Sequence, residues 1–146
     1  MLHLEFNSES ENERIARVVT AAYIMKFDPD MEEMEDIKTA VSEAVTNCIV
    51  HAYFDTNGKI EMDLTDKEGV LKIEIKDQGI GILDVKKAME PMFTTKPEEE
   101  RTGMGFSFME AFMDSLEVES TPGKGTLVKM SKIIGKGRKI WTTQSI

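Results

Sequence analysis

Cysteine and aromatic side chains are scarce in this chain. It holds one cysteine, one tryptophan, two tyrosines and four prolines in 146 residues. A lone cysteine, Cys48, cannot close an internal disulfide, which excludes a disulfide-stapled scaffold and suits a reducing compartment such as the cytoplasm. No apolar run approaches the roughly 20 residues that a membrane-spanning helix needs. The first residues lack a basic stretch followed by an apolar run, so no signal peptide is expected. Positive charge is also short, with 18 Lys and Arg against 27 Asp and Glu, a net charge of −9. Such a balance repels phosphodiester backbones and excludes general nucleic-acid binding, while favouring a partner with a basic face.

What remains is ordinary globular material, 40% hydrophobic and 31% charged, enough for one domain with one core. No internal repeat or linker divides it, so residues 1–146 are expected to form a single domain. Leu2, Leu4 and Phe6 alternate with polar residues as in a half-buried strand. Ser10 and Glu13 suit a capping box opening a helix, whose apolar positions are Ile15, Val18, Val19 and Ala22. Pro29 interrupts it, and a second helix is expected from about Met31 to Tyr53 with an apolar stripe from Ile37 through Ile49. Ile60, Met62 and Leu64 and then Leu71, Ile73 and Ile75 alternate as a strand pair around a turn over Asp66–Gly69. A short helix over Val85–Glu90, a mobile loop from Pro91 to Thr102 and a helix over Gly105–Asp114 follow. The last hairpin pairs Leu116–Glu119 with Leu127–Met130, and from about residue 133 a basic tail is expected to be loosely held. Helices in a block, then strands mixed with helices, predict an α+β two-layer sandwich: one antiparallel or mixed sheet covered on one face by helices.

Three clusters carry chemistry. Glu43, Asn47 and His51 recur every four residues, along one edge of the second helix's apolar stripe. An amide oxygen there can ligate a hard cation such as Mg²⁺, and a carboxylate one turn away can accept a hydroxyl proton. Alone, the same pattern also fits a polar border making ordinary hydrogen bonds. Asp77-Gln78-Gly79-Ile80-Gly81 follows a strand directly. Its glycines allow a flat ligand close to the backbone, and a buried aspartate there can accept from an exocyclic amino group such as that of adenine. Alone, it could also be a strand-ending turn. Gly103-Met104-Gly105 opens a helix, preceded by Thr94-Thr95-Lys96 and Arg101. Free N–H groups at a helix start form a phosphate cradle, although a surface loop with incidental basic residues has the same composition. Gly125-Thr126, after a turn, is the weakest element.

In order and spacing, Glu43-Ala44-Val45-Thr46-Asn47, Asp77-Gln78-Gly79-Ile80-Gly81, Thr102-Gly103-Met104-Gly105-Phe106 and Gly125-Thr126 resemble the boxes of the GHKL superfamily: gyrase, Hsp90, histidine kinases and MutL. Ser10-Glu11-Asn12-Glu13, Ser42–Asn47 and Pro91–Pro97 are similar to its sporulation anti-sigma kinases. The resemblance covers nearly the whole chain and implies the Bergerat ATP-binding fold, ATP or ADP as ligand, and Mg²⁺. It implies Asn47 as the Mg²⁺ ligand and Glu43 as general base toward a serine hydroxyl. Asp77 would bind the adenine amino group, Gly79 and Gly81 shape the floor and Thr126 support the ring. Thr94, Thr95, Lys96, Arg101 and the backbone from Gly103 through Met104 and Gly105 to Phe106 would hold the phosphates under a lid. The implied partners are a sigma factor of the sigma F type and, as substrate, an anti-anti-sigma factor. Arg17 on the first helix matches a partner-contacting position, and a homodimer is implied. The chain departs from many relatives at Leu83, where proline is common. The alternatives are a histidine kinase catalytic domain, a stress-response anti-sigma kinase, and a nucleotide-gated sigma clamp that transfers no phosphate.

Overall fold

Alternating burial builds the sheet. In the computed structural model, which describes residues 1–90 and 105–135, Ile60, Met62 and Leu64 on β2 (Lys59–Lys67) turn inward between polar neighbours. Leu71, Ile73 and Ile75 do the same on β3 (Val70–Asp77). With β1 (Leu2–Asn7), β4 (Ser115–Thr121) and β5 (Gly125–Ile133) they form a five-stranded sheet in the order β1-β2-β3-β5-β4. Every pairing is antiparallel. The β2–β3 turn is tighter than the four residues expected. Lys67 pairs with Val70, leaving Glu68 and Gly69 as the two turn residues, both at positive φ, which matches the twist of the flanking strands.

One face of the sheet is packed and the other is charged. On the open face the register sets Glu61 opposite Lys76 and Glu74 opposite Lys129, opposite-charge pairs suited to water. The packed face meets α2 (Met31–Asn47) through Ile37, Ala40, Val41, Ala44 and Val45, all buried. Met109 of α4 (Gly105–Phe112), the helix after the short α3 (Val85–Ala88), and Met62, Met113 and Met130 join the same core. Each such side chain contributes about 1.5–3 kcal/mol on burial. The two-layer α+β architecture is the one expected from the element order.

The first helix, α1 (Glu11–Ile24), packs on a different stripe from the one expected. Ala16, Thr20 and Ile24 are buried, whereas Ile15 and Val18 are 54% and 58% exposed. The small Ala16 and Thr20 permit close packing, and the Thr20 hydroxyl donates to the Ala16 carbonyl at 2.8 Å, so a polar residue sits in the core at no hydrogen-bonding cost. The capping box expected at Ser10 is also absent. Ser10 has helical φ and ψ and makes no side-chain cap, because Glu13 is engaged by Ser42 Oγ at 2.9 Å and Arg17 Nε at 3.3 Å. The box lies instead at α2, where Asp30 Oδ1 accepts from Glu33 N at 2.7 Å and Glu33 Oε1 from Asp30 N at 3.0 Å. Asp30→Ala is expected to cost about 1 kcal/mol, read as a lower urea midpoint with unchanged slope.

At the start of the expected basic tail, Ile134 is buried and Gly135 N donates to Glu33 Oε2 at 2.9 Å; the rest of that tail lies outside the described residues. No helix among the described residues is long and apolar enough to cross a membrane.

Candidate functional site

The second helix does not run evenly to Tyr53. After Asn47 it widens into a π-turn over Cys48–Ala52, closed by Tyr53 N to Cys48 O at 3.0 Å. Such turns frequently occur at functional sites. The Ala52 carbonyl at the turn's end, free of any intrahelical partner, accepts Ile80 N at 3.0 Å and ties the glycine-rich loop to the helix end. The Tyr53 hydroxyl accepts Gln78 N at 2.7 Å and donates to the Lys59 carbonyl, adding a second tie.

The loop sits against this helix end because glycine permits it. A Cβ on Gly79 would stand 2.3 Å from the Ala52 carbonyl oxygen, and one on Gly81 at φ +76° would stand 2.3 Å from the Thr121 oxygen. Gly79→Ala must therefore push the loop off Ala52 and break the Ile80 bond. We expect a loss of about 1–3 kcal/mol by urea denaturation. Gly123→Ala, which meets nothing within 4 Å, should show only the backbone cost of its positive φ, about 1 kcal/mol.

Sheet register brings Asp77, the last residue of β3, opposite Thr126 on β5. Asp77 is 4% exposed, and Thr126 is also buried. Asp77 Oδ1 accepts Gly79 N at 2.9 Å. Burial raises its pKa above the ordinary carboxylate value, against the opposing pull of the Gly79 N–H, the nearby Cys48 thiol and the Thr126 backbone. Burial likewise raises the Cys48 thiol well above its usual value, and the neighbouring Asp77 adds to the rise. Ser120 Oγ accepts Ile82 N at 2.8 Å, donates to the Gly125 carbonyl at 2.9 Å and meets Thr126 Oγ1 at 2.8 Å, clamping the loop to the final hairpin.

These elements enclose a cavity of about 490 Å³. Of the residues marked in the sequence, Asn47, Asp77, Gly81, Gly105, Phe106 and Thr126 line it. Gly79 lies beneath, against Ala52. Glu43 is half-buried on α2, one turn before Asn47, and is not among the lining residues. Arg17 is on α1, in its ion pair with Glu13, away from the cavity. Thr94, Thr95, Lys96, Arg101, Gly103 and Met104, with the loop expected over Pro91–Thr102, lie outside the described residues. The lining also includes Cys48, His51, Ile80, Leu83 and Lys87, which the sequence had not marked as site residues. His51 was signalled by its spacing from Asn47. Leu83, where proline is common, is 92% exposed at the cavity and takes no part in the loop's hydrogen bonds.

The histidine kinase-like ATPase domain family matches residues 6–132. An anti-sigma F factor from Caldanaerobacter subterraneus subsp. tengcongensis is 58% identical over 138 residues, 94% of this chain and 96% of that one. One from Bacillus subtilis strain 168 is 46% identical over 140 residues, 95% of this chain and 96% of that one. In fold, the chain is similar to the catalytic domain of histidine kinase ThkA, with a TM-score of 0.57 at 22% identity, covering 92% of this chain and 97% of that one. It is also similar to the RsbU and RsbW domains of Rv1364c from Mycobacterium tuberculosis, with a TM-score of 0.62 at 16% identity, covering 92% of this chain and 33% of that one. The chain belongs to the histidine kinase-like ATPase domain family and, within it, to the anti-sigma F factors.

Proposed function

We propose that this chain is an anti-sigma factor and protein-serine kinase that binds ATP in the cavity between α2, the Asp77–Gly81 loop and the start of α4. It works in the cytoplasm as a single domain, pairs as a homodimer, and holds a sporulation sigma factor of the sigma F type inactive. Its phosphoryl acceptor is a serine of an anti-anti-sigma factor. The observation that carries the nucleotide reading is Asp77, a buried carboxylate facing a cavity that also holds Asn47 and a helix start. A buried carboxylate is costly unless hydrogen-bonded, and an exocyclic amino group is a fitting additional donor. The sigma factor follows from the names of the relatives, and the anti-anti-sigma substrate and the homodimer from the motif resemblance.

In this reading Asp77 accepts from the adenine amino group, Thr126 supports the ring, and Gly79 and Gly81 let it lie close to the backbone. The Asn47 amide oxygen, a hard donor at the cavity wall, would hold Mg²⁺. When bound, that ion neutralises charge on the transferring phosphoryl group. The N–H groups opening α4 at Gly105 and Phe106 face the phosphates, and Gly103, Met104, Thr94, Thr95, Lys96 and Arg101 supply the further phosphate contacts that the motif resemblance implies. Glu43 takes the proton of the attacking serine as its oxygen bonds to the γ-phosphorus and ADP leaves. Arg17 contributes to the partner face.

Incubation with γ-labelled ATP, Mg²⁺ and an anti-anti-sigma partner tests this. Phosphoserine on the partner is the expected result. Phosphohistidine would replace it with histidine kinase chemistry, and ATP uptake without label transfer would leave a nucleotide-gated clamp.

A further inference from the structure

Away from the cavity, the charged face of the sheet gathers metal-ligating side chains where the edge strand β1 meets β2. The antiparallel register sets His3 opposite Asp63 and Glu5 opposite Glu61, so two residues of each strand form a rectangle on one face. A ring nitrogen of His3 and one carboxylate oxygen from each of Glu5 and Glu61 all lie within 4.8 Å of one another.

Three features of this group point to a cation. Glu5 and Glu61 face each other directly across the strands, and like charges at opposed positions destabilise a bare sheet. Asp63 engages His3 Nδ1, which fixes the ring and leaves Nε2 as the nitrogen turned to Glu5. A carboxylate holding one ring nitrogen while the other meets further ligands is the arrangement that orients metal-binding histidines. Nε2 stands 3.3 Å from Glu5 Oε1, beyond the usual range of about 2.7–3.2 Å for such a hydrogen bond. Donor atoms about 2.0–2.2 Å from a tetrahedral ion stand about 3.3–3.6 Å apart, so this pair already has the spacing of two ligands. A small side-chain rotation brings Glu61 to the third corner, and the solvent face leaves the fourth to water. Lys59 Nζ, 3.7 Å from the same Oε1 and well exposed, yields its place to the ion.

We propose that His3, Glu5 and Glu61 form a zinc site that fastens β1 to β2, with Asp63 orienting the histidine. Two carboxylates and a neutral imidazole balance the charge of Zn²⁺. Mixed nitrogen and oxygen donors favour zinc over Mg²⁺, which prefers oxygen alone. The strand so fastened packs Leu4 and Phe6 against the core, so the ion stabilises an edge of the sheet. None of its ligands lines the nucleotide cavity, and the site does not depend on the nucleotide reading.

Calorimetric titration of the untagged, metal-free full chain with Zn²⁺, in the absence of nucleotide, tests this. The wild type is expected to take up one equivalent, whereas Mg²⁺ at the same concentration gives no binding heat. His3→Ala and Glu61→Gln should each weaken zinc roughly a hundred-fold or more, and Asp63→Ala, which removes no ligand, about ten- to a hundred-fold. These positions lie on the solvent face, so the variants should keep the wild-type circular dichroism spectrum. In thermal melts zinc should raise the wild-type midpoint, a chelator should reverse the rise, and His3→Ala should show none. Zinc uptake unchanged in His3→Ala or Glu61→Gln would overturn the site, and unchanged affinity in Asp63→Ala would overturn the orienting role. A wild type that takes up no zinc would remove the proposal altogether and leave the proposed function standing.

Discussion

Asp77→Asn lowers ATP affinity about a hundred-fold in calorimetric titration while the chain still folds. The substitution keeps the shape of the side chain and removes the charge. Wild-type Asp77 accepts from Gly79 N–H at 2.9 Å and, in the proposed function, from the adenine amino group. Asparagine has one acceptor oxygen where the carboxylate offers two, so its NH₂ group would face one of these two donors. A hydrogen bond to a charged group contributes about 1.5–3 kcal/mol, and a donor left buried without a partner costs a comparable amount, which together give two orders of magnitude. ATP affinity equal to wild type would contradict the adenine assignment. A second measurement separates binding from folding. Because burial raises the folded pKa of Asp77, the folded chain holds its proton more tightly than the unfolded chain. The stabilisation from that proton is complete below the unfolded carboxylate pKa and is lost as pH rises through the folded value. Asp77→Asn lacks this term, so its melting temperature should fall less than wild type's as pH is raised from about 4 to 7. The aspartate thus weakens the empty fold at neutral pH, as binding groups often do.

The parts of the fold legible in the sequence were those whose signal is local. Period-two alternation marked β2 and β3 because one face meets a core and the other meets water. The stripe of α2 was legible for the same reason. On α1 the larger apolar residues, Ile15 and Val18, misled because the buried face is made by Ala16 and Thr20, whose selection depends on how closely two helices approach. Ser10 and Glu13 had the spacing of a cap, but Ser42, 29 residues further along, claims the glutamate. In the site, Asn47, Asp77 and Thr126 were legible from short patterns, and the sheet register and the end of α2 bring them to one cavity. The π-turn was not legible. Cys48–Ala52 reads as ordinary helix, and its widening is supported by Ile80 N reaching the Ala52 carbonyl, a contact no local pattern encodes. Ser120 was missed likewise, since its partners, Ile82 and Thr126, meet only once the hairpin has folded over the loop.

Glu43→Ala should separate the two halves of the reaction. Residues four apart on a helix hold their Cβ atoms about 6 Å from one another, so Glu43 is close to Asn47 without belonging to the nucleotide cavity. That offset suits a base whose proton comes from another protein. A carboxylate set directly against the phosphates would repel them, whereas one a turn away can meet a serine hydroxyl delivered from outside. Removing it takes nothing from the adenine contacts proposed at Asp77 or from the amide at Asn47. ATP affinity should therefore stay within about two-fold of wild type, and single-turnover formation of phosphoserine on the anti-anti-sigma partner should fall about 10²- to 10⁴-fold, the range for losing a general base. Glu43→Gln, which keeps the hydrogen-bonding shape without the basicity, should be nearly as slow. Transfer at a near-normal rate in either variant would show that the serine loses its proton elsewhere. A parallel loss of ATP binding would place Glu43 with the nucleotide instead of with the acceptor.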